Sequence, residues 1–250
     1  AGLGREAQKD FQFIISSTAA QDNRNLRAHL YSLLAKLKYP DFQKKYFPLK
    51  RAKGPKLYLC GMGLFPPYTA TLDVLNAISR CDSLINNVSG IETREFLSVL
   101  CPDVRPATYD NHGDDEFWVR RIVKELRLGK TVAFVTRGHP LVFGGLGEAL
   151  VRRCESLQIE CETFGAVSSM DILSSAMSAT AEAPARGVQA YDHKVVVLNA
   201  EPIDPRHPLL LYICEGLIKG KEVDRVKKTL RRFYPAGHEC WMFGPTYDAA

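Results

Sequence analysis

The sequence predicts an α/β protein: two α/β subdomains with a cleft between them, preceded by a helical N-terminal arm. Three observations carry this. From Lys56 onward, short apolar runs of strand length alternate with segments of helical amphipathic spacing. That alternation means a parallel sheet, with ligands bound beyond the carboxyl ends of its strands. The composition, 46% hydrophobic and 24% charged over 250 residues, supplies a full core. It excludes a disordered chain, a collagen-like chain and a disulfide miniprotein. Charge is also segregated. Residues 1–56 hold 12 Lys and Arg against 4 Asp and Glu, whereas the remainder holds 21 against 24. The expected division is therefore a basic arm over 1–55, a larger subdomain over 56–180 and a smaller one over 181–250.

In the arm, Leu26, Leu30, Leu33, Leu34 and Leu37 fall on one helical stripe. Tyr39-Pro40 ends that helix, because a residue before proline avoids the helical region. Phe47-Pro48 through Gly54-Pro55 reads as a linker. The stripe is expected in the core or in a dimer contact, with a substrate-docking groove as the second reading. The basic character suits a solvated face first, and an acidic partner or nucleic acid second.

Leu57–Cys60 reads as a buried strand, and Thr71–Arg80 as a helix with Leu72, Leu75 and Ile78 inward. Leu84–Asn86 is the next strand. Ser89 and Glu92 have the spacing of a capping box for a helix over Glu92–Leu100. Asp114 would cap a helix whose inner face is Val119, Ile122, Val123 and Leu126, with Gly129 as its stop. Thr131–Val135 is a strand, Leu146–Leu157 a helix and Ile159–Phe164 a strand. A break rich in Ala and Pro follows at Ala179–Gly187. The second half offers strands at Lys194–Leu198 and Leu209–Cys214, a helix at Glu222–Phe233 and a strand at Glu239–Phe243.

Seven cysteines lack any CxxC pair, and six histidines lack HxH or HxxxH spacing. Reduced core thiols and no metal site are expected. No apolar run reaches the roughly 18 residues of a membrane helix. The start shows no charged end followed by an apolar stretch. A cytoplasmic protein is the expectation.

Three loops follow strands of the first subdomain. Gly61-Met62-Gly63-Leu64-Phe65-Pro66-Pro67 places two glycines where backbone can approach a ligand. A dinucleotide fingerprint would need a third glycine where Pro66 stands. Thr136-Arg137-Gly138-His139-Pro140-Leu141-Val142-Phe143-Gly144 is a stiff turn that folding needs alone do not explain. Phe164-Gly165-Ala166-Val167-Ser168-Ser169-Met170-Asp171 brings small residues and two serines to the head of a helix, where capping accounts for part of the pattern.

Taken together, GMGLFPP, RGHPLVFGG and FGAVSSMD resemble the loops of the tetrapyrrole methylase superfamily, which uses S-adenosylmethionine (SAM). Thr71-Leu72 fits the same family, and the resemblance spans about residues 56–245. The His-Pro-x-Val-Phe form, Leu209-Leu210-Leu211-Tyr212 and Phe233-Tyr234-Pro235 with His238-Glu239 are most similar to a branch that includes the borosin peptide N-methyltransferases. Departures stand at Phe65-Pro66, where the family has Gly-Asp, and at Phe164, where it has proline. An Arg and a second Tyr of the borosin enzymes are missing after Tyr109-Asp110-Asn111.

The resemblance implies a SAM cleft and a homodimer. It places Gly61 and Gly63 in the cleft wall. Gly138, His139, Pro140 and Val142 would lie at the methionine and sulfonium region, Ser168 and Ser169 on cofactor polar atoms, and Leu211 and Tyr212 near the adenine. Methyl transfer is an in-line displacement in which alignment supplies most of the acceleration. A hydroxyl or amide acceptor also needs a base, for which Tyr109, His112 and Asp110 are candidates. Arg137 is the candidate for stabilising negative charge on the acceptor. The expected acceptor is a peptide or specialised metabolite, with a tetrapyrrole precursor as the alternative. A non-catalytic SAM- or partner-binding module and a nicotinamide enzyme are the remaining readings. No membrane partner is expected, and nucleic acid stands behind the small-molecule or peptide acceptor.

Overall fold

The computed structural model describes residues 54–66, 69–88, 90–107, 115–180, 187–198, 202–212 and 222–240. The expected arm lies outside them, except for Gly54 and Pro55. Chain contacts define two compact units, one ending at Ser169 and the other beginning at Met170.

The first unit is a five-stranded parallel sheet of β1 (Lys56–Gly61), β2 (Ser83–Asn87), β3 (Val104–Pro106), β4 (Thr131–Thr136) and β5 (Glu160–Phe164). Its spatial order is β3-β2-β4-β1-β5. β1 and β4 are central and read as unbroken apolar runs because both faces are covered. Leu57 and Leu59 face one layer with Val132 and Phe134. Tyr58, Cys60, Ala133 and Val135 face the other.

Helix α1 (Leu72–Ile78) and α2 (Ile91–Leu100) cover the Tyr58 face, where Val74, Ile78, Leu97 and Leu100 are buried. Helix α3 (Asp115–Arg127) and α4 (Gly145–Ser156) cover the opposite face through Trp118, Ile122, Leu126 and Leu150. Thr71 caps α1, its hydroxyl accepting from the Val74 N–H at 3.3 Å. Leu72, expected inward, is 52% exposed instead. As the first residue of a two-turn helix, it lies at the sheet rim, beyond the layer that Leu75 and Ile78 close. The cap of α2 is Gly90, at φ 110° and without a side-chain bond, in place of the expected capping box; Ser89 lies outside the described residues. Gly129 ends the α3 segment at φ +80°, as expected.

The second unit pairs β6 (Gln189–Asp192) with β7 (Leu209–Tyr212) in parallel. Helix α5 (Ser169–Thr180) precedes them, α6 (His193–Leu198) joins them, and α7 (Glu222–Leu230) follows. Val196, Ile203 and Val226 form the core of this unit. The expected strand at Lys194–Leu198 is a helix. The pairing register is taken by Gln189–Asp192, and Asp192 Oδ1 accepts from the Lys194 N–H at 2.8 Å, starting the helix. Gln189 fixes the loop before β7, donating to the carbonyls of Asp204 and His207 and accepting from the Asp204 N–H. Glu239 and Cys240 are not in a strand, and the rest of that expected element lies outside the described residues.

Cys60, Cys81, Cys101 and Cys154 are buried free thiols, Cys161 is partly buried and Cys240 exposed. Burial pushes the Cys60 and Cys81 thiols well above their ordinary range. Among the described residues, no helix is long and apolar enough to cross a membrane.

Candidate active site

The connection from β1 leads past β4 to β2, and the connection from β4 leads past β1 to β5. The chain thus leaves these two neighbouring strands in opposite directions. That topological switch opens a crevice at their carboxyl ends, the position where open α/β sheets bind ligands. The loops after β1, β4 and β5 all rise from this edge.

Gly61 is where they meet. A Cβ there would lie 2.4 Å from the Gly138 carbonyl oxygen, 3.1 Å from Pro140 Cδ and 3.2 Å from Ala166 Cβ. Two residues of the second loop and one of the third therefore border the space that glycine leaves. Beyond it, the Met62 N–H donates to the Thr136 carbonyl at 2.9 Å, extending the parallel β1–β4 pairing, and the first two loops join in an isolated antiparallel bridge, where the Gly138 N–H donates to the Gly63 carbonyl at 2.8 Å. Gly63 and Gly138 both adopt positive φ, +71° and +67°, a conformation that a side chain resists.

Thr69 pins the first loop. Its hydroxyl donates to the Met62 carbonyl and accepts from the Phe65 N–H, each at 3.0 Å. The sequence reading passed over this residue in favour of Thr71, which is the helix cap. A Cβ on Gly63 would come within 2.2 Å of the Thr69 oxygen, so the glycine and the pin depend on each other.

In the second loop, the Leu141 N–H donates to His139 Nδ1 at 3.1 Å. An imidazole accepting at Nδ1 carries its proton at Nε2. The opposite edge of the ring fills the space that a Cβ on Gly165 would need, with Cδ2 and Nε2 each 3.0 Å away. Pro140 is buried. Its carbonyl lies where Cβ atoms on Gly144 and Gly147 would stand, at 2.3 and 2.1 Å, which seats the turn on the head of α4. Val142 is half-buried, and its N–H donates to the His139 carbonyl. Phe143 sits at φ +52° and is 45% exposed, a strained placement for an aromatic residue.

Of the residues singled out from the sequence, Gly61, Gly63, Gly138, His139 and Pro140 are thus brought together. Ser168 is buried in the third loop and Ser169 opens α5. Arg137 is exposed on the loop after β4. Leu211 and Tyr212 lie on β7 of the second unit. Tyr109, Asp110 and His112 lie outside the described residues.

The donor set consists of backbone amides, one imidazole and serine hydroxyls, between close-packed glycines and apolar side chains. It suits a neutral-polar and apolar ligand such as an amino-acid nucleoside. The glycine cradle leaves the backbone itself as the lining, so these residues fit SAM.

The family model for Tetrapyrrole (Corrin/Porphyrin) Methylases matches residues 56–243. No curated protein matches this chain. Among solved structures, the chain is similar to the uroporphyrin-III-C-methyltransferase of Thermus thermophilus, with 22% identity and a TM-score of 0.51. That match covers 72% of this chain and 73% of the other, and at this identity it is a likeness of fold. A second Thermus thermophilus structure of a uroporphyrin-III C-methyl transferase, complexed with S-adenyl homocysteine, matches at 21% identity and a TM-score of 0.49, covering 70% of this chain and 72% of that one. With the family model spanning the sheet, its three loops and the β6-β7 pair, the chain belongs to the tetrapyrrole methylases and is a SAM-dependent methyltransferase.

Proposed function

We propose that this enzyme methylates a peptide or specialised-metabolite acceptor in the crevice at the carboxyl ends of β1, β4 and β5. The observation that carries the placement is the meeting of three loops at Gly61, over the switch point of the sheet. When bound, SAM supplies an electrophilic methyl group on a sulfonium. Gly61, Gly63 and Gly138 would hold its amino-acid portion with backbone groups. Val142 and Pro140 would wall the sulfonium region. Ser168 and Ser169 would bond its polar atoms.

His139 offers an Nε2 proton in a fixed orientation, which suits a carbonyl or carboxylate oxygen of the ligand. The proton released by a hydroxyl or amide acceptor would pass to Tyr109, Asp110 or His112. Arg137 would stabilise the charge that develops on the acceptor. The rim of this edge favours an acceptor with apolar surface. Phe65, Phe143 and Val167, one from each loop, are 62%, 45% and 43% exposed. Among the described residues of the three loops, Arg137 is the one cation.

A tetrapyrrole acceptor is the second reading. The family description and the name of the structurally similar Thermus thermophilus enzyme favour it. Incubation with methyl-labelled SAM separates the two. Label transferred to apolar peptides or small metabolites, and not to uroporphyrinogen III, supports the first reading; the reverse establishes the second. We extend the proposal to a homodimer in which the leucine stripe of the arm adds contact. Light scattering tests it, and an arm-deleted chain that stays fully dimeric would count against the stripe.

A further inference from the structure

On the far side of the first unit from the Tyr58 layer, α3 and α4 flank an open groove of about 430 Å³ lined by Arg120, Val123, Lys124, Arg127, Leu128 and Arg153. Arg120, Lys124 and Arg127 are spaced four and three residues apart and share one face of α3. All three are exposed, and none forms an ion pair among the described residues. Arg153, from α4, meets Glu116 at 3.4 Å. Among the cations, Val123 is buried in the core and Leu128 is 66% exposed.

Three like charges on one helix face repel each other, and an exposed leucine beside them gains nothing from water. Neither feature serves the sheet, whose contacts on this side are made by Trp118, Ile122 and Leu126. Both are satisfied together by a ligand that is acidic and apolar at once.

We propose that this groove docks an acidic amphipathic segment of a partner protein. Its carboxylates would meet Arg120, Lys124, Arg127 and Arg153, and an apolar side chain would cover Leu128. Charge complementarity selects this occupant. The N-terminal arm of this chain is itself strongly basic and lacks the acidic character this groove calls for. A second copy docking through the same patch would set cation against cation across a two-fold axis. Nucleic acid would satisfy the cations but leave the leucine uncovered, whereas a helix carrying Glu and Leu at helical spacing satisfies both.

The test uses the full-length chain and fluorescence anisotropy of a labelled synthetic helix with Glu and Leu at i, i+3 and i+4 spacing. Saturable binding is expected, weakening with salt. The double variant Arg120→Glu/Lys124→Glu should weaken it at least tenfold, and Leu128→Ser at least threefold. A scrambled peptide of the same composition should bind at least fivefold more weakly. SAM-induced thermal stabilisation should be the same in the variants as in the parent, which shows that they are folded. Binding that ignores the double variant would assign the peptide to the basic arm and overturn the proposal. So would equal binding of the scrambled peptide, or tighter binding of a single-stranded oligonucleotide that the same double variant abolishes.

Discussion

The backbone N–H of Leu141 donates to Nδ1 of His139 at 3.1 Å, which fixes the imidazole with its proton on Nε2 at the edge of the crevice. The ring stands there because residue 165 is glycine. His139→Ala should remove the fixed donor while leaving the fold, because the ring is only half-buried. The expected result is at least a tenfold loss of affinity for SAM by calorimetry. Gly165→Val should produce the same loss by displacing the ring.

Gly63 tests the bridge between the first two loops. Gly63→Ala adds a Cβ 2.2 Å from the Thr69 hydroxyl, at a φ of +71°. Strain of this kind costs about 1–3 kcal/mol. A lowered melting temperature is expected, together with loss of the stabilisation that S-adenosylhomocysteine confers.

Thr69 separates hydroxyl from volume. Thr69→Val keeps the shape but removes one donor and one acceptor, which costs about 1–3 kcal/mol where the remaining groups stay unsatisfied. Thr69→Ser keeps both bonds and should stay near the parent in ligand affinity. Chemical denaturation and calorimetry of the two variants read the difference.

At the opposite edge of the sheet, Glu125 joins Lys130 at 2.5 Å and Arg105 at 3.1 Å, and Arg105 also holds Asp103. Lys130 and then Arg105 hold the Glu125 carboxyl below its usual range, against the opposing effect of burial; Arg105 does the same for Asp103. A depressed folded-state pKa stabilises above the unfolded value and is lost as pH falls through the folded value. Glu125→Gln should therefore cost about 2 kcal/mol at neutral pH. The gap between variant and parent should hold down to about pH 5 and close below it, as the carboxylate protonates. Melting curves across pH check the sign.

The central strands were legible in the sequence because burial on both faces leaves an apolar run, as in Leu57–Cys60 and Thr131–Val135. The three loops were legible because their residue types serve the backbone: glycine at positive φ, and proline after histidine. Thr69 was not. Its hydroxyl acts on Met62, seven residues away, through the shape of the loop rather than through any local pattern. The edge strand Val104–Pro106 has three residues and ends in a proline, which only an edge tolerates, so no periodicity announced it. Lys194–Leu198 carries three valines and reads as strand by propensity. Its helix follows from the Asp192 cap and from the pairing of the residues before it. The groove beside α3 has no local sequence signal, because Arg153 joins its basic face only where α4 packs in the fold.

Calorimetric titration of the full-length chain with SAM and S-adenosylhomocysteine, beside Gly63→Ala and His139→Ala, tests the site most directly. The parent should show one saturable site per chain with a raised melting temperature, and both variants should bind more weakly. A folded parent that binds neither compound, or variants that bind as tightly as the parent, would contradict this site.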